Sequence, residues 1–366
     1  MLGTSGMGVR NSVALAVRQA NRQHTVRGWR IALDAEDDQA LPDVGAIAAT
    51  RLADERSVMA VVGPVNSAVA EQAAPILDSR KVVLISPANT DPALTRGPDP
   101  RAPQRPHQWY FRVAATDLVQ GPVAATFAYQ TAGKRTVAVV HDRSAYGQGL
   151  ARQFRARFEK LGGTVPTVEG VDPGDQDFTA VLARIRRVNP DLVYFAGESP
   201  ATAARLTTQA DQRGVKVPLL GGYGIFDPSY LDLAGDAAVG DFATAAGAAP
   251  DELPAARPFL AAYRAAGYSD PPSAAGAGAY DAANLLIAAL AKVLPGRRRI
   301  TDDLRAAFRR AVQDSPFDGV TGPIAFDAFG DATARAVTVY EVQRDESGKA
   351  VWKARQTSQI QADSGE

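Results

Sequence analysis

Ser67 and Thr90 each follow a short apolar run, and that spacing can build an anion site. In residues 61–95, VVGPVNSAVAEQAAPILDSRKVVLISPANTDPALT, the run Val61-Val62 ends at Gly63-Pro64 and Asn66-Ser67 opens an Ala-rich helix. A second run, Val82-Val83-Leu84-Ile85, ends in the polar loop Ser86-Pro87-Ala88-Asn89-Thr90. In a parallel sheet both loops leave the carboxyl ends of their strands, where open α/β folds bind ligands. Ser67 and Thr90 then face one crevice with a helix amino end beneath Ser67, offering hydroxyls and free N–H groups to a carboxylate. Taken singly, Ser67 reads as a helix cap and Thr90 as a turn residue.

Other candidate residues lie downstream: Tyr146 in HDRSAYGQGLA, Glu198 in DLVYFAGESP and Tyr223 in LLGGYGIFDPSYL. The adjacent His141-Asp142 has acid/base residue types, but neighbours on a strand point to opposite faces, so the pair reads as structural.

The motifs VVGPVNSAVA and ISPANTDPALT resemble the amino-acid-binding loops of the branched-chain (Leu/Ile/Val) substrate-binding proteins of ABC importers. The likeness continues through YFRVAATDLVQGP, VVHDRSAYGQGLA, DLVYFAGESP, AYDAANLL and GVTGPIAFDAFGD, in the family's order and over nearly the whole chain. The resemblance implies an α/β fold of the type I periplasmic binding protein class, with two doubly wound parallel-sheet lobes joined by a three-crossing hinge. Lobe one is expected at 1–117 plus 248–321, lobe two at 118–247 plus 322–366.

By the same resemblance Ser67, Ala88 and Thr90 take the ligand carboxylate, aided by Asn66 and Asn89, and the Ala88 carbonyl and Thr90 hydroxyl accept from its ammonium. Tyr146 matches the lobe-two tyrosine that closes over the ligand. The family usually places an acid in the loop after strand 217–221, where this chain has Tyr223. Relatives carry a tyrosine where this chain has Glu198. The two positions are expected to exchange roles, Glu198 supplying charge and Tyr223 ring surface. The alternative reading makes Glu198 a solvated loop acid and the ligand something other than a standard α-amino acid.

The chain's 366 residues suit two domains of ordinary size. Lys+Arg and Asp+Glu cancel at 40 each, so no basic field argues for nucleic acid. The absence of cysteine excludes thiol catalysis and thiolate metal sites, and three dispersed histidines argue against a histidine metal site. No nucleophile elbow, P-loop or complete dinucleotide fingerprint occurs, so an enzyme is not expected, and neither a cofactor nor a metal. The expected partners are a small amino acid or amide and the membrane permease of an importer, with the protein a monomer. A sensor domain of the same fold, regulating an output module, is the alternative.

The elements that must position these residues follow a βα alternation. Helices are expected at 9–21, 44–55, 121–131, 146–161, 178–188, 201–213, 255–266, 276–293 and 302–313. Strands are expected at 28–33, 61–62, 82–85, 110–113, 136–141, 164–170, 191–196, 217–221, 324–326 and 336–343. Crossings between lobes are placed at 114–120, 242–247 and 319–323. The Pro-rich segment 96–107 reads as an exposed loop, and the acidic cluster 34–38 as a solvated turn. Met1-Leu2-Gly3-Thr4 has neither the basic region nor the apolar run of an export signal, and the family's first strand has no counterpart before helix 9–21. The resemblance implies an extracytoplasmic protein, periplasmic or a cell-surface lipoprotein, so the expectation is that its start is misplaced or its sequence is excised from a longer chain.

Overall fold

Apolar runs too short for helices, separated by polar loops and amphipathic helices, resolve into two units in the computed structural model. It describes residues 3–99, 101–247 and 249–361. One unit holds 3–115 and 249–335, the other 116–247 and 336–360.

The sheet of the first unit has three parallel strands in the order β1 (Ala60–Val62), β2 (Val83–Ser86), β3 (Tyr110–Arg112). All four residues of β2 and all three of β3 are buried, as befits a parallel strand covered on both faces. Helix Ser67–Ser79 covers one face, burying Ala70, Ala73, Ala74 and Leu77 against Leu84 and Tyr110. Helix Gly3–Arg22 packs on helix Gly276–Val293.

The strand expected at 28–33 does not form. A strand needs a neighbour to take its N–H and C=O groups, and β1 pairs on one side, with β2. The Asn21 side chain instead takes both backbone groups of Ile31, at 2.9 and 2.8 Å. On this flank β1 is only half-buried, and Leu33, Leu41 and Ile47 are 41%, 52% and 62% exposed.

The second unit carries a seven-stranded sheet built from β4 (Thr136–His141), β5 (Thr164–Gly170), β6 (Leu192–Ala196), β7 (Leu219–Gly221) and β8 (Phe242–Ala246) with two late strands. A two-stranded hairpin of the first unit, β9 (Phe317–Gly319) and β10 (Gly322–Ile324), precedes those in the chain. With β11 (Ala334–Arg344) and β12 (Ala350–Gln361), the order is β12-β11-β8-β7-β6-β4-β5. The sheet is mixed rather than wholly parallel, since β11 runs antiparallel to β8. β12, a segment for which no strand was expected, is its outermost strand. Phe154 stacks on Tyr194 with ring centroids 3.8 Å apart, joining helix Ala145–Lys160 to β6.

The first helix begins at Gly3 rather than 9, the strand expected at 324–326 forms at Gly322–Ile324, and two boundaries that bear on the crossings also differ from expectation. Helix Asp117–Thr126 starts four residues before the expected 121, so the first crossing is shorter. The last change of unit falls at Arg335–Ala336 rather than 319–323. Segment 327–335 stays with the first unit because Asp331 bonds Arg112 and Arg96, and Asp327 bonds Arg96 and Arg335. The Pro-rich loop is largely exposed but pinned at both ends, Arg96 by those acids and Arg105 by the Tyr110 and His107 carbonyls.

Candidate functional site

In the first unit, β1 and β2 end side by side, and their loops are locked together by buried polar groups. Ser67 is the first residue of its helix, preceded by Asn66 in extended conformation, so the helix amino end lies under the loop. The Ser67 hydroxyl accepts from the N–H groups of Thr90 at 3.3 Å and Asp91 at 3.4 Å. The Ser86 hydroxyl accepts from Ala88 at 3.2 Å and Asn89 at 2.9 Å, and donates to the Pro64 carbonyl. Four consecutive N–H groups, 88 to 91, thus converge on two serine oxygens. Ser67, Ala88, Asn89 and Thr90 are all buried.

Three of those four bonds are 3.2 Å or longer, at the weak end of the range for N–H···O. An ionised oxygen accepts at about 2.7–2.9 Å and roughly twice as strongly. A carboxylate can therefore take these N–H groups over from the neutral hydroxyls, while the helix end adds its own favourable field.

Asn89 stands differently from the other predicted residues. Its amide donates to the Pro64 and Val65 carbonyls, at 3.2 and 2.9 Å, and its oxygen accepts from Tyr110 at 3.0 Å. The side chain faces the protein and ties the two loops together. Asn66 precedes Ser67 without capping the helix through its side chain.

In the second unit, three strand-end loops bring Tyr146, Glu198 and Tyr223 together. Tyr146, the second residue of helix Ala145–Lys160, is buried, and its hydroxyl receives the Gly224 N–H at 3.4 Å. A Cβ on Gly222 would lie 2.5 Å from that hydroxyl, so the ring occupies space that only glycine leaves. Burial, with the Asp117 charge nearby, pushes the Tyr146 phenol well above its usual range.

Glu198 is half-buried, and its N–H donates to Asp142 Oδ2 at 2.7 Å. The other Asp142 oxygen takes the Ser144 N–H at 3.1 Å. His141 does not pair with Asp142; its Nδ1 accepts from the Arg143 N–H at 3.1 Å. Asp142 is a brace between the β4 and β6 loops. Tyr223 is half-buried and held by its backbone, its N–H donating to Gln120 Oε1 at 2.8 Å. Burial, then the negative charge of Asp227, raises its phenol pKa.

Sequence reasoning missed the residues that brace these loops: Ser86, Tyr110, Arg112, Asp142 and Gln120. A signal for one was present, because an arginine inside the apolar strand YFR needs a buried acid somewhere in the chain.

Similarity to known proteins agrees with this architecture. The family described as "Periplasmic binding protein" matches residues 2–349, and the chain belongs to it. The leucine-, isoleucine-, valine-, threonine-, and alanine-binding protein of Pseudomonas aeruginosa is 29% identical over 337 residues, 92% of this chain and 85% of that protein. A crystal structure of a leucine-binding protein from Thermotoga maritima matches with TM-score 0.80 and 29% identity, covering 97% of this chain and 95% of that one. An ABC transporter substrate-binding protein from Desulfitobacterium hafniense in complex with Leu matches with TM-score 0.76 and 25% identity, covering 94% and 95%. The fold is thus that of ABC-transporter substrate-binding proteins.

Proposed function

We propose that this chain captures a small aliphatic amino acid outside the cytoplasm and delivers it, as a monomer, to the permease of an ABC importer. The observation carrying the reading is the row of four N–H groups, Ala88 to Asp91, that rest on two serine hydroxyls, Ser86 at the end of β2 and Ser67 at the amino end of a helix. Such a row suits a carboxylate. The ligands named for the relatives, leucine and isoleucine among others, support an aliphatic side chain.

Within this reading Ser67, Ala88 and Thr90 hold the carboxylate, and Asn66 and Asn89 shape their loops. In the second unit Glu198 supplies negative charge for the ammonium, and Tyr146 and Tyr223 supply ring surface. A buried ammonium without an anionic partner would be costly, which is why the role falls to Glu198 once Tyr223 occupies the other loop. The protein binds and releases its ligand without covalent chemistry.

The test is isothermal calorimetry of the purified protein against leucine, isoleucine, valine, alanine and leucinamide. Tight binding of the free acids with much weaker binding of leucinamide is expected. Equal affinity for leucine and leucinamide, or no binding of any free amino acid, would remove the proposal.

A further inference from the structure

Arg112 is fully buried at the end of β3, where a lone guanidinium would be strongly disfavoured. Its fork is shared among several acceptors. Nε donates to Asp331 at 2.6 Å, one terminal nitrogen to the carbonyls of Asp91 at 2.6 Å and Asn89 at 3.4 Å, and the other to the Thr95 hydroxyl. Two residues earlier, on the same face of the strand, Tyr110 donates to the Asn89 side chain at 3.0 Å. Both residues therefore grip the loop that carries Ala88 and Thr90.

The geometry of the peptide unit turns this grip into an orientation. In a trans peptide the C=O of one residue and the N–H of the next point in opposite directions. With the Asn89 carbonyl turned to Arg112, the Thr90 N–H must face the other way, toward Ser67. Asn89, fixed by Tyr110, in turn holds Pro64 and Val65, just before Ser67. Asp331, drawn from a turn more than two hundred residues away, compensates the Arg112 charge and pairs alongside β3.

We propose that Tyr110 and Arg112 are positioning residues for carboxylate recognition, holding the Asn89 loop and the Asn89–Thr90 peptide plane so that the Thr90 N–H is presented beside Ser67 for an anion to take. The inference rests on the amino-acid reading above, and deepens it by naming what sets the specificity for an acid. Charge alone does not perform this role. Arg112→Lys keeps the positive charge and loses the planar fork that reaches four acceptors at once.

The experiment uses Tyr110→Phe, which removes one hydroxyl from an otherwise unchanged ring, with Arg112→Lys as a second variant. Amide hydrogen exchange on the ligand-free protein is compared at Asn89, Thr90 and Asp91 and at the β2 amides of Val83–Ile85. Exchange of the loop amides is expected to rise roughly tenfold in Tyr110→Phe, the equilibrium value of one hydrogen bond, with the β2 amides unchanged. Leucine affinity should fall about three- to tenfold, and further in Arg112→Lys if that variant folds. Unchanged loop exchange, or a rise spread evenly through the first unit, overturns the positioning role. Faster loop exchange in a protein that binds no free amino acid at all upholds the positioning role and sinks the amino-acid reading.

Discussion

The Ser67 hydroxyl receives the Thr90 N–H at 3.3 Å, joining residues 23 positions apart at the ends of neighbouring strands. The contact is long, which leaves the pair ready to exchange a neutral contact for a charged one.

Ser67→Ala and Thr90→Ala are each expected to weaken amino-acid binding by about 1–3 kcal/mol, the usual cost of depriving a buried charge of a hydrogen bond. Calorimetry on both variants checks this. Unchanged affinity in both would show that the anion site lies elsewhere.

Glu198→Gln separates charge from shape. Leucine should lose roughly tenfold or more in affinity, while 4-methylpentanoate, which lacks the amine, should change little. If both ligands respond alike, Glu198 is not the partner of the ammonium.

Gly224→Ala probes the packing of the loops that present Glu198. An added Cβ would lie 2.3 Å from the Gly197 carbonyl and 2.7 Å from the Glu198 Cα, and neither backbone atom can step aside. The expected result is a loss of about 1–3 kcal/mol in stability together with weakened ligand binding. Gly174→Ala, with nothing within 4 Å of its added Cβ, is the matched control and should stay close to wild type in thermal melts.

Asp241 makes stability depend on pH. Its carboxyl is buried, takes the Leu219 N–H at 2.6 Å and bonds Tyr230, and burial raises its pKa to about 7. A carboxyl whose pKa is higher folded than unfolded binds more protons when folded, so stability falls as pH rises from about 4 to 7. The loss is on the order of 2–4 kcal/mol. Asp241→Asn should flatten this part of the curve in urea unfolding at stepped pH. A slope equal to that of the wild type would refute the assignment. Asp331 acts in the opposite sense: burial raises its pKa, but the Arg112 charge, hydrogen bonds from Arg112 and Thr95 and the Arg335 charge together lower it overall. Its contribution is present at neutral pH and disappears below the usual carboxylate range.

Much of the fold was legible because local pattern and environment agree. The apolar run of β2 is buried on both faces and reads as a strand, and helix Gly276–Val293 matches its expected limits because its small and aliphatic residues fill a continuous interior. The positions of Ser67 and Thr90 were likewise legible, since a strand end followed by a helix start is written in neighbouring residues. Tertiary structure decided the rest. Segment 28–33 alternates like a strand, yet a strand exists only where another offers its backbone, and Asn21 supplies the bonds instead. Asn89 sits in a polar loop with Ser86, Thr90 and Asp91, and nothing in the sequence sets it apart from them. Only the approach of Tyr110, Pro64 and Val65 decides that it braces the loops from within. The pairing of Arg112 with Asp331 could not be read from spacing, because a buried charge requires a counter-charge but does not say where along the chain it will come from.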